Sequence, residues 1–204
     1  IDQGLVALLQ KQMIDPDKLV MSPKDYFRVT QLVNPTQTYW DRTTGGVPKP
    51  PELRRKLAKG NRLQDVASIW FQTLPDFQVE GSILDGALAG IRGVRGELDY
   101  IIGESIFELK TKDKLPFTPE EVLNEFPQDL EQLLIYSAIH PLTPKINYLV
   151  FMTNKRPYKF STFKVTIKEF NQIKNIIQER IKILKKAIEE KNPDMLGKCR
   201  YYGQ

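Results

Sequence analysis

The chain has 204 residues, of which 41% are hydrophobic, and a formal net charge of +5. This length and apolar content suffice for one globular domain with its own core. One cysteine, Cys199, excludes an internal disulfide framework and any multi-cysteine zinc or iron–sulfur site. One histidine, His140, argues against a catalytic histidine triad or a multi-histidine metal site. The basic charge suits a polyanionic partner but does not require one.

The sequence shows no signal for a membrane or a secretory pathway. No apolar run approaches the roughly 20 residues that a helix needs to span a bilayer. The N-terminus does not resemble a signal peptide. We therefore expect a cytoplasmic protein. His140 follows a predicted helix, and we interpret it as a helix-end residue whose charge suits the helix dipole.

The N-terminal part is predicted to be helical and then irregular. Residues 1–34 read as two helices, the second with Ser22 as its N-cap and a proline in its first turn. Residues 35–50 are rich in Pro, Gly and Thr, which predicts an exposed, mobile loop. Apolar residues at helical spacing predict a long helix over 51–73.

The middle of the chain predicts strands, a helix and two more strands. Four short runs separated by turns indicate an antiparallel meander over 77–84, 87–94, 97–103 and 105–111. Residues 120–139 are predicted to be helical, with Pro127 as a break. The continuous apolar run 146–153 is typical of a buried central strand. A further strand is predicted over 159–166.

The C-terminal segment 167–191 predicts a long amphipathic helix. Its apolar stripe must pack on its own sheet or on a second copy of the protein, so a homodimer stays open. The order of elements predicts an α/β fold with one mixed sheet and helices on both faces. We expect 1–204 to be a single domain, with a helical and loop part over 1–50, a core over 51–166, and a C-terminal helix and tail over 167–204.

Three charged residues interrupt the apolar strands of the segment 96–112. Glu108 and Lys110 lie two apart on one strand, so their side chains point to the same face. Asp99 comes before the preceding turn, and we expect it to lie near Glu108 if the register permits. The alternative interpretation is an exposed hairpin edge carrying charges, which is common.

Two adjacent carboxylates repel each other, and a divalent cation removes that conflict. Oxygen ligands suit Mg²⁺ or Mn²⁺. A lysine beside such an ion can orient the attacking water, help to deprotonate it, or offset charge on a phosphate. The pattern therefore predicts metal-assisted hydrolysis of a phosphodiester.

These residues resemble the PD-(D/E)XK nuclease superfamily, in its RecB-like branch. Members carry an Asp, a spacer and then Glu-x-Lys across a β-hairpin, which Gly96-Glu97-Leu98-Asp99 and Glu108-Leu109-Lys110 match. The resemblance implies a restriction-endonuclease-like core, a nuclease activity dependent on Mg²⁺ or Mn²⁺, and the Leu109 carbonyl as a further ligand. The branch also has Gln-x-x-x-Tyr on the next helix, which implies catalytic roles for Gln132 and Tyr136.

The chain departs from this branch at an early helix motif, Gly-x-x-x-His-Glu. Gln64 stands in place of the metal-binding histidine and Asp65 in place of the acid. The resemblance implies that Gln64 or Asp65 supplies a further metal ligand. A glutamine carbonyl is a poorer ligand than imidazole but can coordinate Mg²⁺.

The ends are similar to those of CRISPR-associated exonucleases, which hold an iron–sulfur cluster with one early and three late cysteines. Val33 takes the place of the early cysteine, and Cys199 is what the late group retains. One cysteine cannot hold such a cluster, so the resemblance implies a relative without it. Compact relatives of this kind occur among archaeal virus proteins, which suggests a host cytoplasm as the location.

DNA is the expected partner, because basic residues flank the proposed metal site. Tyr39 and Trp40 lie in the predicted loop, where they either stack on an unpaired base or pack on the core. The candidate DNA contacts are Arg54, Arg55, Lys59, Arg62, Lys112 and Lys114.

The leading hypothesis is a metal-dependent deoxyribonuclease. A nucleic-acid-binding protein on a nuclease scaffold, with weak or no turnover, is the first alternative. A protein–protein adaptor with the same fold is the second.

Overall fold

The computed structural model describes residues 26–46, 50–80 and 83–199. The predicted helices before residue 26, including the N-cap at Ser22, lie outside these ranges. The strands are β1 (Phe27–Arg28), β2 (Phe77–Glu80), β3 (Ile83–Asp85), β4 (Val94–Glu97), β5 (Tyr100–Ile102), β6 (Ser105–Lys112), β7 (Ile146–Thr153) and β8 (Phe160–Thr166). The α-helices are α1 (Val29–Leu32), α2 (Pro35–Thr44), α3 (Pro51–Phe71), α4 (Pro119–Glu125), α5 (Pro127–Ile139) and α6 (Phe170–Glu189), and 3₁₀ helices cover Gly86–Ala89 and Pro193–Lys198.

The segment predicted as a mobile loop over 35–50 contains the helix α2, so that prediction was wrong. Pro35 occupies its first turn, and Gly45 ends it in the left-handed conformation at φ 80°. The proline and glycines that resemble loop signals are the start and stop signals of a short helix. Tyr39 is buried in the core, whereas Trp40 is exposed and packs edge-on against the Tyr39 ring.

The strands form two sheets, which corrects the expectation of a single sheet with a four-strand meander. The larger sheet has the order β2-β5-β6-β7-β8, and the smaller has the order β1-β4-β3. The predicted strand over 87–94 is mostly a 3₁₀ helix and a turn, because Gly90 and Gly93 both adopt positive φ. Phe27 and Arg28 form a strand, where a helix was predicted.

The fold class is confirmed as α/β with a mixed sheet between helical layers. β7 is a buried central strand that pairs in parallel with β6 and antiparallel with β8. The crossover from β6 to β7 runs through α4 and α5, with the predicted break at Pro127. The helix predicted over 51–73 ends at Phe71.

The two faces of the larger sheet carry different cores. On one face, Leu109 packs with Leu63 and Ala67 of α3. On the opposite face, Ile106 belongs to the core that contains Leu133 and other residues of α5. Because strand residues alternate between faces, Glu108 points with Ile106 toward α5. The catalytic candidates of β6 therefore enter the layer that α5 covers.

The apolar stripe of α6 packs within its own chain, chiefly on α5, on α2 and on the 3₁₀ helix Pro193–Lys198. Arg180 of this stripe is 1% exposed. It donates to Glu131 Oε1 of α5 at 2.8 Å and to the Leu32 carbonyl at 3.0 Å. A buried ion pair thus joins α6 to the helix that carries Gln132 and Tyr136.

His140 ends α5, as the sequence predicts, but it does not carry the expected positive charge. The imidazole is buried, and burial lowers its pKa to about 4. Its Nδ1 accepts a hydrogen bond from the Leu142 amide at 3.1 Å. The residue therefore closes the turn after α5 as a neutral acceptor.

Within the described ranges, none of the helices combines the length and the apolar character that crossing a membrane requires.

Gly96 allows α5 to lie against the smaller sheet. A Cβ atom at this position would meet the Tyr136 ring, and it would approach Val29 Cγ2 to 2.6 Å. We expect Gly96→Ala to lower the free energy of unfolding by about 1–3 kcal/mol, because the buried ring must shift. Urea unfolding measures the change. Gly197→Ala is the matched control, since a Cβ there meets nothing within 4 Å. Equal stabilities of the two variants would contradict the prediction.

Candidate active site

Asp99 lies at the bend between the two sheets, between β4 and β5, and not within a strand as predicted. The β5–β6 register pairs Tyr100 with Phe107, which leaves Asp99 opposite Glu108. Asp99 Oδ2 accepts a hydrogen bond from the Leu109 amide at 2.8 Å. The Asp99 side chain therefore accepts the hydrogen bond that a backbone carbonyl of β5 would otherwise accept. This bond holds the Asp99 carboxylate against β6.

Glu108, Lys110 and Gln132 form one buried hydrogen-bonded cluster. Glu108 is 1% exposed. Its Oε1 accepts from Lys110 Nζ at 2.6 Å and from Gln132 Nε2 at 2.9 Å. Lys110 Nζ also donates to Gln132 Oε1 at 3.1 Å. The glutamine thus contacts both charged groups and fixes the position of the ammonium between two acceptors.

Tyr136 lies one turn after Gln132 on α5, on the same face, as the spacing of four predicts. Gln132 Nε2 approaches Tyr136 Oη at 3.3 Å. Burial, together with the negative charge of Glu108, raises the pKa of Tyr136. The phenol therefore keeps its proton at neutral pH and can act as a hydrogen-bond donor.

Gln64 reaches the site from the opposite helical layer. Its Nε2 donates to Asp99 Oδ1 at 2.8 Å. Its backbone carbonyl accepts from Tyr100 Oη at 3.2 Å, and that hydroxyl also contacts Ser68 Oγ at 2.9 Å. Asp65, the next residue of α3, is exposed. The structure thus brings the Gln64 side chain to Asp99, whereas the exposed Asp65 side chain has no such contact among the described residues.

Burial dominates the electrostatics of the carboxylates. It raises the pKa of Glu108 to about 8, although Lys110 opposes the shift. Burial also raises the pKa of Asp99. Burial lowers the pKa of Lys110, but the charges of Glu108, Asp99 and Asp129 together outweigh it and raise that pKa above its usual value. Both carboxyl groups therefore favour the protonated form, unless a cation in addition to Lys110 lies beside them.

One observation fits a divalent ion at this place. Glu108 Oε2 is buried and has no hydrogen-bond partner within the described part of the chain. The Leu109 amide points to Asp99, so the Leu109 carbonyl leaves the strand on the same side. Two carboxylates and a backbone carbonyl are the oxygen donors that Mg²⁺ and Mn²⁺ prefer. No group of three or more His, Cys, Asp or Glu side chains able to hold a metal occurs among the described residues.

The basic candidates differ in their surroundings. Lys112 pairs with Asp129 at 2.5 Å and lies over the Phe126 ring at 4.6 Å. Lys114 is exposed, 3.9 Å from Glu125. The four arginine and lysine candidates of α3 are exposed along the helix that carries Gln64: Arg54, Arg55, Lys59 and Arg62.

Sequence reasoning missed two acidic neighbours of the cluster. The charge of Asp129 raises the pKa values of Glu108 and Lys110, and Glu97 raises that of Asp99. Asp129 precedes Gln132 by three residues, so helical spacing could have placed it near the site. Glu97 lies within the matched Gly-x-x-Asp motif itself.

The one cysteine lies away from this site. Cys199 and Val33 are both buried in the apolar core that α5 and α6 share. Burial raises the pKa of the Cys199 thiol. The resemblance relates these two positions to cysteine ligands of an iron–sulfur cluster. In this chain they belong to an apolar core.

The raised pKa of Glu108 predicts a pH dependence of stability without metal. The folded chain holds this proton up to about pH 8, whereas the unfolded chain releases it near the ordinary pKa of a glutamate, 4.5. The free energy of unfolding therefore falls as pH rises between these values, by up to about 1.4 kcal/mol per pH unit. Glu108→Gln removes this slope, and urea titrations in EDTA measure the difference from wild type.

Two comparisons separate the titration of Glu108 from that of His140 and from the loss of a surface charge. His140 contributes a slope of opposite sign, since its pKa is lowered to about 4 from 6.5. The comparison with Glu108→Gln cancels that contribution, because His140 is present in both proteins. Glu104→Gln replaces an exposed glutamate with the same loss of charge and keeps the wild-type slope. Equal slopes in wild type and Glu108→Gln would refute the assignment.

Comparisons with known proteins identify solved structures with a similar fold. No family model matches the chain, and no curated protein matches it. A phage-related exonuclease from Haemophilus somnus 129PT has a TM-score of 0.59 at 12% identity, covering 83% of this chain and 96% of its own. The exonuclease LHK-Exo, solved in complex with dAMP, has a TM-score of 0.55 at 13% identity, covering 83% and 93%. This alkaline exonuclease comes from Laribacter hongkongensis.

A third structure, SSO0001, has a TM-score of 0.54 at 16% identity, covering 88% of this chain and 86% of its own. At these identities the likeness concerns the fold, and the matched hairpin motif lies within it. The chain therefore has a restriction-endonuclease-like α/β fold, which it shares with these exonuclease structures.

Proposed function

We propose that this protein is a metal-dependent deoxyribonuclease of the RecB-like branch. The observation that carries the proposal is the hydrogen-bonded cluster of Glu108, Lys110 and Gln132, beside which Asp99 accepts from the Leu109 amide. Charged groups are buried at such expense only when paired or when they serve a site. The fold likeness to exonucleases supports the same class of reaction.

Asp99, Glu108 and the Leu109 carbonyl would hold the divalent ion. When bound, Mg²⁺ or Mn²⁺ supplies a Lewis acid for the scissile phosphate and makes a nearby water more acidic. Gln64 now directs its N–H at Asp99, so it becomes a ligand only with its amide turned to present the carbonyl oxygen. Asp65 is exposed and is the weaker candidate.

Lys110 acts as a fixed cation in this proposal. A general base works best with a pKa near the operating pH, and the acidic neighbours of Lys110 raise its pKa despite the opposing effect of burial. Its ammonium therefore orients water or offsets charge on the phosphate, and does not take up a proton. Gln132 holds the ammonium in place, and Tyr136 donates its hydroxyl hydrogen within the same site. The exposed cations of α3 contact phosphates of the substrate.

The decisive experiment is cleavage of single-stranded, duplex and branched DNA with Mg²⁺ or Mn²⁺. We expect wild type to cut at least one substrate, and EDTA to stop the reaction. Asp99→Ala and Lys110→Ala each lower the rate by about 10²–10³-fold, because each removes a preorganised charge. Lys182→Ala, an exposed lysine on α6, keeps the wild-type rate. Cleavage that survives Lys110→Ala would overturn the proposal.

A second function is favoured by one observation at Gln64. This residue donates an N–H to Asp99, where the resemblance implies a metal-binding histidine. A nucleic-acid-binding protein with weak or no turnover would then retain the scaffold. It predicts salt-sensitive DNA binding that persists in Lys110→Ala, with no cleavage in either metal.

Restoring the histidine tests how far Gln64 limits the metal site. We expect Gln64→His to bind Mn²⁺ several-fold more tightly than wild type, because neutral imidazole is a better ligand than an amide carbonyl. Calorimetry with Mn²⁺ measures this without requiring turnover. Asn61→His, exposed on the same helix, is the control and leaves the affinity unchanged. Unchanged affinity in Gln64→His would show that position 64 lies outside the ion's reach.

A further inference from the structure

β8 ends the larger sheet and leaves one edge of it without a partner strand among the described residues. The strand runs from Phe160 to Thr166 and pairs with β7 at the end of the order β2-β5-β6-β7-β8. At about 3.3 Å per residue, it offers about 23 Å of edge. None of its side chains is fully buried. An uncovered edge of this length can accept a further strand.

The hydrogen bonds at the two ends of β8 identify the backbone groups that face outward. The Thr153 amide donates to the Lys159 carbonyl at 2.9 Å, and the Ile167 amide donates to the Lys145 carbonyl at 2.8 Å. Hydrogen-bonded pairs alternate along an antiparallel ladder, so the odd-numbered residues of β8 bond to β7. The even-numbered residues point their amide and carbonyl groups away from β7. These residues are Phe160, Thr162, Lys164 and Thr166.

The same four residues expose their side chains on the face of the sheet that carries α3. Thr162 pairs with Val150, which belongs to the core beneath α3. Directly opposed residues lie on one face, so a strand added to this edge places alternate side chains beside Thr162 and Lys164. Its other side chains lie beside Phe163 and Val165, which are partly buried against the core on the opposite face.

The segment 154–168, which contains this edge, is basic. It has no aspartate or glutamate. Its cations are all exposed, and no ion pair among the described residues involves them. This excess of positive charge favours an acidic partner. The cations are Lys155, Arg156, Lys159, Lys164 and Lys168.

Exposed aromatic rings flank the start of β8. Phe160 is 37% exposed, and Trp70 of α3 is 45% exposed. Their ring centroids lie 5.1 Å apart, and the Trp70 ring lies 6.5 Å from that of Tyr158. The Arg156 guanidinium lies over the Tyr158 ring at 5.8 Å. This end of the edge therefore offers apolar contact area to a partner, next to positive charge.

Two other occupants fit these features less well. A second copy of the chain would bring two basic segments together, and like charges on paired strands are destabilising. A nucleic-acid strand suits the charge, but it lacks the peptide groups that match the alternating donors and acceptors of a strand edge. An extended acidic peptide suits both the charge and the backbone groups.

We propose that β8 binds an extended acidic segment of a partner protein, which adds a strand to the larger sheet. The outward-facing amides and carbonyls supply the hydrogen bonds, and Lys164 with its basic neighbours selects acidic side chains. β8 lies two strands away from β6, which carries Glu108 and Lys110. The inference therefore goes beyond the proposed nuclease activity and does not depend on it.

The first measurement uses a fluorescein-labelled peptide as long as β8, in which Glu and Val alternate and both ends are blocked. Fluorescence anisotropy gives its affinity for the full chain. A peptide with Lys in place of every Glu is the charge control. We expect the Glu peptide to bind at least about tenfold more tightly than the Lys peptide, because its charges are opposite to those of the edge. Equal affinity for the two peptides, or binding of neither, would contradict the proposal.

Charge reversal at the centre of the edge tests where the peptide binds. We expect Lys164→Glu to lower the affinity for the Glu peptide by about fivefold or more, because Lys164 faces its acidic side chains. Lys182→Glu, at an exposed position of α6, makes the same change in net charge and stays within about twofold of wild type. Both substitutions are on the surface, so both variants keep the fold. Equal affinities of the two variants would overturn the proposal.

Methylated peptides test the backbone pairing on wild-type protein. N-methyl groups on the Glu residues or on the Val residues leave charge and side chains unchanged, and only one of these two sets of amides faces β8 in a paired strand. We expect one methylated peptide to lose at least about tenfold in affinity and the other to stay within about threefold. Equal affinities of the two methylated peptides would mean attraction by charge alone and would refute strand addition.

Thr162→Pro tests the same pairing from the protein side. It removes an outward-facing amide but no bond to β7, and proline is tolerated at such an edge position. We expect it to abolish binding of the Glu peptide, whereas Thr162→Val keeps the amide and the wild-type affinity. Equal affinities of these two variants would count against the edge. If Thr162→Pro does not fold, the methylated peptides decide the question.

Two results would assign the edge to another occupant and overturn the proposal. A mass in sedimentation that rises with concentration for wild type, but not for Thr162→Pro, would identify a second copy. Binding of a single-stranded oligonucleotide that Lys164→Glu weakens, without binding of the Glu peptide, would identify nucleic acid. All peptide measurements are made in EDTA, where no metal supports cleavage, so failure of the peptide site and failure of the nuclease are distinguished.

Discussion

The site depends on one hydrogen bond, from the Leu109 amide to the Asp99 carboxylate. β5 pairs with β6 only as far as Phe107, and beyond that point β6 would present an unpaired amide. Asp99 satisfies that amide with its side chain at the bend where the chain leaves the smaller sheet. The same bond ends the ladder, joins the two sheets and sets a carboxylate beside Glu108. An unpaired buried amide costs about 1–3 kcal/mol, so the bend and the site are stabilised together.

The second constraint is the burial of charge beneath α5. The cost of burying Glu108 and Lys110 beneath α5 is reduced because Gln132 forms hydrogen bonds with both side chains. The distance between α5 and the sheets must therefore be fixed. It depends on the absence of a side chain at Gly96 and on the buried ion pair of Arg180 with Glu131. Breaking a buried pair leaves an uncompensated charge, so α6 helps to position the catalytic candidates without touching them.

Charge is distributed unevenly along β4 and the bend after it. The guanidinium groups lie at the start of β4, and the carboxylates lie at and beyond its end. A polyanion approaching the carboxylates meets repulsion unless a cation shares the site, whereas it meets attraction at Arg92 and Arg95. Glu97 stands between these two groups of charges along the chain.

Local sequence patterns predicted most helices and strands and the faces on which the site residues lie. Tertiary contacts decided the sheet arrangement and the long-range partners. Strand alternation put Glu108 and Lys110 on one face, helical spacing put Gln132 and Tyr136 together, and the apolar run of β7 indicated a central strand, because each depends only on nearby residues. The division into two sheets, the helix α2 and the place of Asp99 at a bend were not predicted, since glycine and proline mark turns and helix ends alike. The contact of Gln64 with Asp99 spans 35 residues, and the pairing of Arg95 with Asp85 joins two strands through an intervening turn. Such partners are chosen by packing in three dimensions, which no local pattern encodes.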